Sequence, residues 1–312
     1  MKLKHNILVA CVFILMNAFA DILVSDVEVF SGYPWTEVVV GYSITGTDAE
    51  ADFIRLTATD KSAKKTYIAQ SLTGAEISEG RHVLRWNAAA EGTKFSSSNV
   101  IFSVSVSMGV QLWANGPYWA ECNVGATKPE EHGNYFWWGD TIGYKRNTSD
   151  NGWVSVLNGE SFSFTHAHCP TYGKGKSQLQ SEGYIDSTGN LVAKYDAATK
   201  HHGSRWRMPT YSEWSALISN CTTTWTTLNG VFGRLVTGKG AYAAKSIFLP
   251  AAGVADVSDL FSAGSYGYYW SSTPSGESQY AQRIYFESSN FYGSYHNRYY
   301  GYAVRPVRGF AK

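Results

Sequence analysis

The sequence predicts a turn-rich β protein with aromatic surfaces, built in two parts. Aromatic residues make up 15% of the 312 residues, and 30 glycines accompany only 4 methionines. An apolar fraction of 44% against 16% charged residues allows a sizeable core and argues against disorder. The composition changes along the chain, because nine of the eleven tryptophans lie in residues 108–312. The length suits one large domain or two ordinary ones.

Residues 1–20 are typical of a secretory signal peptide. Lys2 and Lys4 precede an unbroken apolar run over 7–16, and Ala18-Phe19-Ala20 supplies a small-x-small cleavage pattern. We therefore expect the mature chain to start at Asp21 and to be secreted or held at the cell surface. The apolar run is too short for a membrane anchor, which needs about 20 residues. No later segment approaches that length, so we expect no membrane span after cleavage.

The charge balance gives no electrostatic case for a nucleic-acid partner. Lys and Arg total 26 and Asp and Glu total 25, and loss of Lys2 and Lys4 leaves 24 − 25 = −1. A near-neutral chain has no electrostatic reason to seek nucleic acid or an anionic membrane.

Residues 21–107 are predicted to form an all-β module. Residues 38–40 with Tyr42 and Ile44 indicate one strand, and further strands are expected over 53–59, over 65–70, around 83–86 and over 100–106. In the last of these, Val100, Phe102, Val104 and Val106 alternate with mostly polar residues, which predicts one buried face. Short strands at close spacing favour a small sandwich. The junction to the second domain, residues 108–312, is expected near 108–116.

The second domain contains one clear helix among short β segments. Thr210 and Glu213 have the spacing of a capping box, which predicts a helix over Thr210–Asn220. A second, shorter helix is expected to start at Asp196. Residues 140–189 are rich in Gly, Ser and Asn with little periodicity, so we expect a long irregular excursion. Short β segments return after Ser246.

The densest aromatic region lies near the end of the chain. Ten of the 21 tyrosines fall between Tyr266 and Tyr302. Many of these rings are expected to be core, but those after Asn290 lie among Gly, Ser, Asn and Arg, which is typical of an exposed loop. Exposed amphipathic rings suit sugar or protein surfaces. The predicted ligand-binding residues are Tyr292, Tyr295, Asn297, Arg298, Tyr299 and Tyr300.

No catalytic or metal-binding set is evident. The histidine pairs at 166/168 and 201/202 lack structural zinc spacing. The only tightly spaced carboxylates are Asp256 with Asp259 and Glu130 with Glu131, so we expect no cofactor and no catalytic residues, with one structural Ca²⁺ left open. No Gly-x-Ser-x-Gly elbow appears.

After removal of Cys11 with the signal, three cysteines remain: Cys122, Cys169 and Cys221. An exported chain retains disulfides, and one bridge with one leftover thiol is the simplest arrangement. The residues alone leave all three pairings open.

A series of motifs runs in order through residues 110–308. They are Trp119–Phe136, Trp138–Asp140, Trp206–Thr210 with Glu213-Trp214, Asn220–Thr222, Ile247–Gly253, Gly267–Ser272 and Val304–Arg308. Together they resemble the Fibrobacter succinogenes major paralogous domain family. The long insertion after Asp140 departs from the family in length.

The resemblance implies an irregular α+β fold of the C-type-lectin-like and formylglycine-generating-enzyme-like kind, whose shared signature is Arg207–Trp214 here. It also implies a disulfide between Cys122 and Cys221. Residues 22–107 resemble the Ig-like β-sandwich that precedes such domains in some secreted bacterial proteins.

Enzymatic chemistry does not carry over with the resemblance. Formylglycine-generating enzymes bind copper through two cysteines late in the domain, and this sequence has no cysteine after Cys221. The Glu-Pro-Asn and Gln-Pro-Asp runs of calcium-dependent lectins are also absent. A fold by itself carries no activity.

The sequence therefore favours an exported, non-enzymatic recognition or adhesion protein that binds a glycan or a cell-surface protein. Two alternatives stay open: a structural cell-surface component without a small ligand, and a divergent oxidase of the formylglycine-generating type.

Overall fold

The computed structural model describes residues 22–46, 51–69, 72–147, 149–150 and 152–309. The predicted signal peptide, residues 1–20, lies outside these ranges. The chain divides into two compact units between Ser107 and Met108. Within the described residues, no helix is long and apolar enough to cross a membrane.

The first unit consists of two small antiparallel sheets around a common core. The strands are β1 (Leu23–Val29), β2 (Val38–Thr45), β3 (Ala51–Asp60), β4 (Lys65–Ile68), β5 (Gly80–Trp86) and β6 (Val100–Gln111), the last of which runs past the division. One sheet has the order β1-β2-β5, and β6, β3 and β4 are neighbours in that order in a six-stranded sheet. The predicted alternation in β6 is confirmed, because Phe102 and Val104 are buried whereas Ser103 and Ser105 are exposed.

The second unit has many short strands and three described α-helices. The strands are β7 (Tyr118–Ala120), β8 (Tyr144–Arg146), β9 (Trp153–Ser155), β10 (Ser161–Phe162), β11 (Trp206–Arg207), β12 (Thr222–Leu228), β13 (Val231–Thr237), β14 (Ser246–Pro250), β15 (Val254–Asp256), β16 (Asp259–Phe261), β17 (Gly267–Pro274), β18 (Tyr280–Phe286), β19 (Phe291–Asn297) and β20 (Val307–Arg308). The helices are α1 (Lys176–Ser181), α2 (Ala197–His202) and α3 (Tyr211–Asn220).

The α+β class implied by the resemblance is wrong, because the structure is β-rich. Strands account for 42% of the chain and helix for 11%. Only α3 extends beyond two turns, and α1 and α2 have six residues each. The Gly- and Ser-rich segments between the motifs form small antiparallel sheets, such as β8-β9-β10 and β12-β13-β14, rather than helical layers.

Both predicted helix starts are confirmed. Thr210 caps α3, its hydroxyl accepts from the Glu213 amide, and the Glu213 carboxylate accepts from the Thr210 amide, so the capping box is complete. Asp196 caps α2 by accepting from the Thr199 amide. Arg207 makes two hydrogen bonds of 2.6 Å to the Glu213 carboxylate, which explains why the signature pairs an arginine with this glutamate.

The sheet β17-β18-β19 has two faces, and α3 covers one of them. Trp214 of α3 lies 5.9 Å from the Tyr269 ring between centroids and donates its indole N–H to the Trp270 carbonyl. Tyr211, at the start of α3, lies directly over Gly293, where a β-carbon would overlap its ring. The helix therefore packs on the face that carries Tyr269 and Gly293.

Candidate ligand-binding face

The face of β17-β18-β19 opposite α3 carries Tyr268, Trp270, Tyr285 and Tyr292. Direct cross-strand pairs share one face of a sheet. Tyr268 lies opposite Tyr285, which lies opposite Tyr292, and Arg283 lies between Trp270 and Ser294 in the same register. We call this surface the Arg283 face; it consists of Tyr268, Trp270, Arg283, Tyr285, Tyr292, Ser294 and His296.

Tyrosine rings form a connected row across the Arg283 face. The ring centroids of Tyr285 and Tyr292 are 5.0 Å apart, and those of Tyr268 and Tyr285 are 5.3 Å apart. The row continues from Tyr268 to Tyr302, 5.3 Å away, and Tyr266 stacks on Tyr285 at 5.5 Å. It runs from the fully buried Tyr302 to Tyr292, which is 49% exposed. The row therefore leads from the core to the solvent.

Arg283 lies beneath this row. Its guanidinium carbon is 4.8 Å from the Tyr268 ring centroid, 5.3 Å from that of Tyr285 and 5.7 Å from that of Tyr302. Only 9% of the residue is exposed. Its Nε and Nη1 atoms are shielded and make no hydrogen bond, and no carboxylate pairs with it among the described residues. Aromatic faces stabilise the cation, but they leave its N–H donors without acceptors.

Arg283 is the one charged side chain of the Arg283 face at neutral pH. Burial, together with the nearby Arg283 charge, lowers the pKa of His296 to about 4, so its imidazole is neutral. Burial raises the pKa of Tyr285 to about 12 and also raises the pKa values of Tyr300 and Tyr302. Nearby carboxylates contribute to these shifts: Asp256 helps to raise the pKa values of Tyr300 and Tyr302, and Glu287 helps to raise that of Tyr285.

The predicted exposed loop is wrong, because most of it is a strand. Residues Phe291–Asn297 form β19 and pair with β18 along its full length. Since side chains alternate along a strand, Tyr292 lies on the Arg283 face and Tyr295 on the opposite face. Tyr295 is also 49% exposed but stacks on Tyr280 at 5.4 Å. Asn297 falls on the same face as Tyr295.

Arg298 was predicted to bind ligand, and the structure instead buries it completely. Its Nη1 donates to the carbonyls of Thr171 and Lys174 at 2.6 and 2.8 Å, and its Nε donates to the Tyr280 carbonyl at 3.0 Å. Its guanidinium also lies 4.9 Å from the Trp138 ring centroid. Arg298 therefore anchors the excursion after Asp140 and is not available to a ligand.

The remaining predicted residues lie at the margin of the Arg283 face. Tyr300 is 4.7 Å from His296 and 6.4 Å from Tyr302 between ring centroids. Tyr299 is 4.6 Å from Tyr300 and continues to Tyr172 at 5.4 Å. Of the six predicted residues, Tyr292 thus belongs to the Arg283 face, Tyr300 lies at its margin, and Tyr299 extends that margin.

The structure adds several residues that the prediction missed: Tyr266, Tyr268, Arg283, Tyr285 and Tyr302. The sequence contains part of the signal, since Arg283 and Tyr285 are spaced by two and so share a strand face. The pairing of the strands, which brings these residues together, is not visible in local sequence.

Cys122 and Cys221, which are predicted to form a disulfide, are both buried. Their pairing stays a prediction. The two cysteines have different charged neighbours. Cys122 interacts electrostatically with Arg305, and Cys221 interacts electrostatically with Lys239. Burial raises the pKa of the Cys221 thiol to about 11.

Within the described ranges, no group of three or more His, Cys, Asp or Glu side chains is arranged to hold a metal ion. The histidine pairs at 166/168 and 201/202 do not converge into such a group.

Comparison with known proteins adds one finding. Residues 239–307 match a family described as a domain of unknown function (DUF8237). The matched segment contains β14 to β19 and every residue of the Arg283 face. No curated protein and no solved structure matches the chain.

Proposed function

We propose that this chain is an exported, non-enzymatic recognition or adhesion protein that binds a glycan on the Arg283 face. The observation that carries the proposal is the row of tyrosine rings that leads from exposed Tyr292 over buried Arg283. Tyrosine offers a flat apolar ring with a polar hydroxyl at its tip, which suits the apolar faces and hydroxyl edges of sugars.

The dimensions of the row suit an extended ligand. Neighbouring strands are about 4.8 Å apart, so Tyr268, Tyr285 and Tyr292 on three successive strands span about 10 Å. Tyr300 and Tyr299 lengthen the aromatic surface beyond the sheet. A chain of sugar residues laid across the strands would meet a ring at each step.

The same face favours binding over hydrolysis. A glycosidase places two carboxyl groups on either side of the scissile bond. The residues of the Arg283 face include no carboxylate, and the acids that act on its tyrosines and their neighbours, Glu287 on Tyr285 and Asp256 on Tyr300 and Tyr302, lie outside it. The resemblance to the Fibrobacter succinogenes major paralogous domain family stays a prediction and is consistent with a binding role.

The test is a glycan array probed with residues 21–312, with and without calcium, followed by two matched variants. Tyr292→Ala and Tyr295→Ala remove rings of equal exposure from one strand, but from opposite faces. We expect Tyr292→Ala to weaken binding about tenfold, as loss of one stacked ring implies, and Tyr295→Ala to change it less than twofold.

Equal losses in both variants, or a loss only in Tyr295→Ala, would place the site elsewhere. If folded protein binds no glycan on the array, the ligand is not a glycan of the kinds tested and that part of the proposal is wrong. A pull-down from the native cell surface would then test a protein ligand.

A further inference from the structure

We infer that the glycan bound on the Arg283 face carries a carboxylate, as uronic acids do, and that Arg283 is the group that receives it. This inference rests on the function proposed above. The observation behind it is the combination of a buried guanidinium, shielded N–H donors without acceptors and the absence of any paired acid in the described residues.

A buried charge is strongly disfavoured unless it is paired and hydrogen-bonded. Arg298 and Arg305 in the same domain follow this rule. Each has three or more hydrogen bonds to main-chain or side-chain oxygens. In the part of the chain that the structure describes, Arg283 Nε and Nη1 have no such acceptor, and the rings of three tyrosines lie against its guanidinium. A ligand with an anionic oxygen would give the N–H donors of Arg283 the acceptor that they lack.

A carboxylate fits these surroundings better than a phosphate group. Guanidinium presents parallel N–H donors that match the two oxygens of a planar carboxylate. The Arg283 face provides one cation, because His296 is neutral at pH 7 and no lysine belongs to the face. One cation balances one negative charge, whereas phosphate monoesters bring close to two.

The approach to Arg283 is from the Tyr285 and Tyr292 side. Ser294 lies directly opposite Arg283 on β19 and is two residues from the exposed Tyr292. Its hydroxyl therefore adds a hydrogen-bond donor beside Arg283. For a ligand to reach Nε or Nη1 of Arg283, the half-buried Tyr285 ring must shift. Side-chain changes of this kind are common on binding.

The experiment measures binding of residues 21–312 to a panel of oligouronates: galacturonate, glucuronate and mannuronate. Each is compared with its methyl ester, which removes the charge but keeps the ring, and with a neutral oligosaccharide of the same linkage. Dextran sulfate is a fourth probe. We expect at least one oligouronate to bind 30-fold or more tightly than its ester.

Arg283→Gln is expected to remove this preference, so that the acid and the ester bind equally weakly. Arg283→Lys, which keeps the charge without the planar fork, should restore part of it. Tyr295→Ala is the matched control and should retain the full preference. Near-UV circular dichroism verifies that each variant is folded; if Arg283→Gln does not fold, Arg283→Lys and the ester comparison decide the question.

The two proposals fail in different ways. Equal binding of acid and ester, or tighter binding of a neutral glycan, that still depends on Tyr292 would overturn the carboxylate assignment and keep the glycan-binding function. Tighter binding of dextran sulfate than of every oligouronate would also overturn the assignment. Absence of any glycan binding by folded protein would overturn both.

Discussion

Arg305 Nε donates a hydrogen bond of 2.9 Å to the side-chain oxygen of Asn123, which precedes it by 182 residues. The remaining donors of Arg305 reach the carbonyls of Ala120, Glu121 and Phe248. The arginine of the Val304–Arg308 motif thus ties three segments of the second unit together. Arg283 is also buried, but its Nε and Nη1 have no hydrogen-bond partner among the described residues. The two arginines therefore differ in how far their donors are satisfied within the fold.

The contrast predicts opposite effects on stability. Arg305→Met should lower the free energy of unfolding by several kcal/mol, because each buried acceptor left without a donor costs about 1–3 kcal/mol. Arg283→Met should change it by less than about 1 kcal/mol or raise it, since it removes an uncompensated buried charge. Chemical denaturation of both variants at pH 7 provides the measurement. A large destabilisation by Arg283→Met would indicate that the cation is structural.

The parts of the fold that could be predicted from sequence are those fixed by close neighbours. The capping box places Thr210 and Glu213 three residues apart, and buried and exposed side chains alternate along β6. Both patterns can therefore be recognised from a few consecutive residues. Strand β1 was not predicted, because Asp26 adopts a positive φ of 49° and the pairing with β2 shifts between Ser25 and Glu28, which interrupts the alternation.

The parts that could not be predicted depend on distant partners. Strand β19 has the Gly, Ser and Asn content of a loop and becomes a strand through its pairing with β18. The roles of Arg283 and Arg298 are likewise set by partners far along the chain, since the carbonyl of Thr171 lies 127 residues before Arg298. Local composition makes the two arginines alike, and only the tertiary structure distinguishes them.

The Arg207–Glu213 pair predicts a second stability effect. Glu213→Gln should cost about 1–2 kcal/mol, because it weakens a half-buried bidentate ion pair while its amide oxygen still accepts from the Thr210 amide. Thr210→Ala removes the cap alone and should cost about 1 kcal/mol. Urea denaturation of the two single variants and the double variant measures their coupling. Strictly additive losses would show that the ion pair and the cap act independently.

The anchoring role of Arg298 predicts local opening around Cys169. Cys169 is buried, burial raises its thiol pKa to about 11, and its thiol contacts the Thr171 hydroxyl at 3.3 Å. Arg298→Gln removes the donors to the Thr171 and Lys174 carbonyls, so we expect Cys169 to be alkylated about tenfold faster under native conditions. Peptide mapping compares it with Cys221 in the same sample. Parallel acceleration of both thiols would point to global unfolding instead.

His296 makes the stability of the second unit depend on pH. Its pKa is about 4 in the folded chain against an ordinary value of 6.5, because burial and then the Arg283 charge disfavour the imidazolium. Between pH 6.5 and 4 the unfolded chain therefore binds a proton at this ring that the folded chain does not. Above pH 6.5 this ring has no effect on the free energy of unfolding. As the pH drops from 6.5 to 4, protonation of the unfolded chain lowers the free energy of unfolding progressively.

Other buried groups titrate in the same range, so the effect must be isolated by substitution. His201 has a pKa of about 4 and acts in the same direction, whereas the pKa values of Asp140, about 7, and Asp196, about 6, are raised by burial and act in the opposite one. His296→Gln keeps a neutral polar side chain and removes only one of these contributions. We expect the stability lost between pH 7 and pH 5 to be smaller in the variant by about 1 kcal/mol, allowing for partial exposure of the ring. Denaturant unfolding at both pH values tests this, and identical pH dependence in the two proteins would show that His296 is protonated as readily in the folded chain as in the unfolded one.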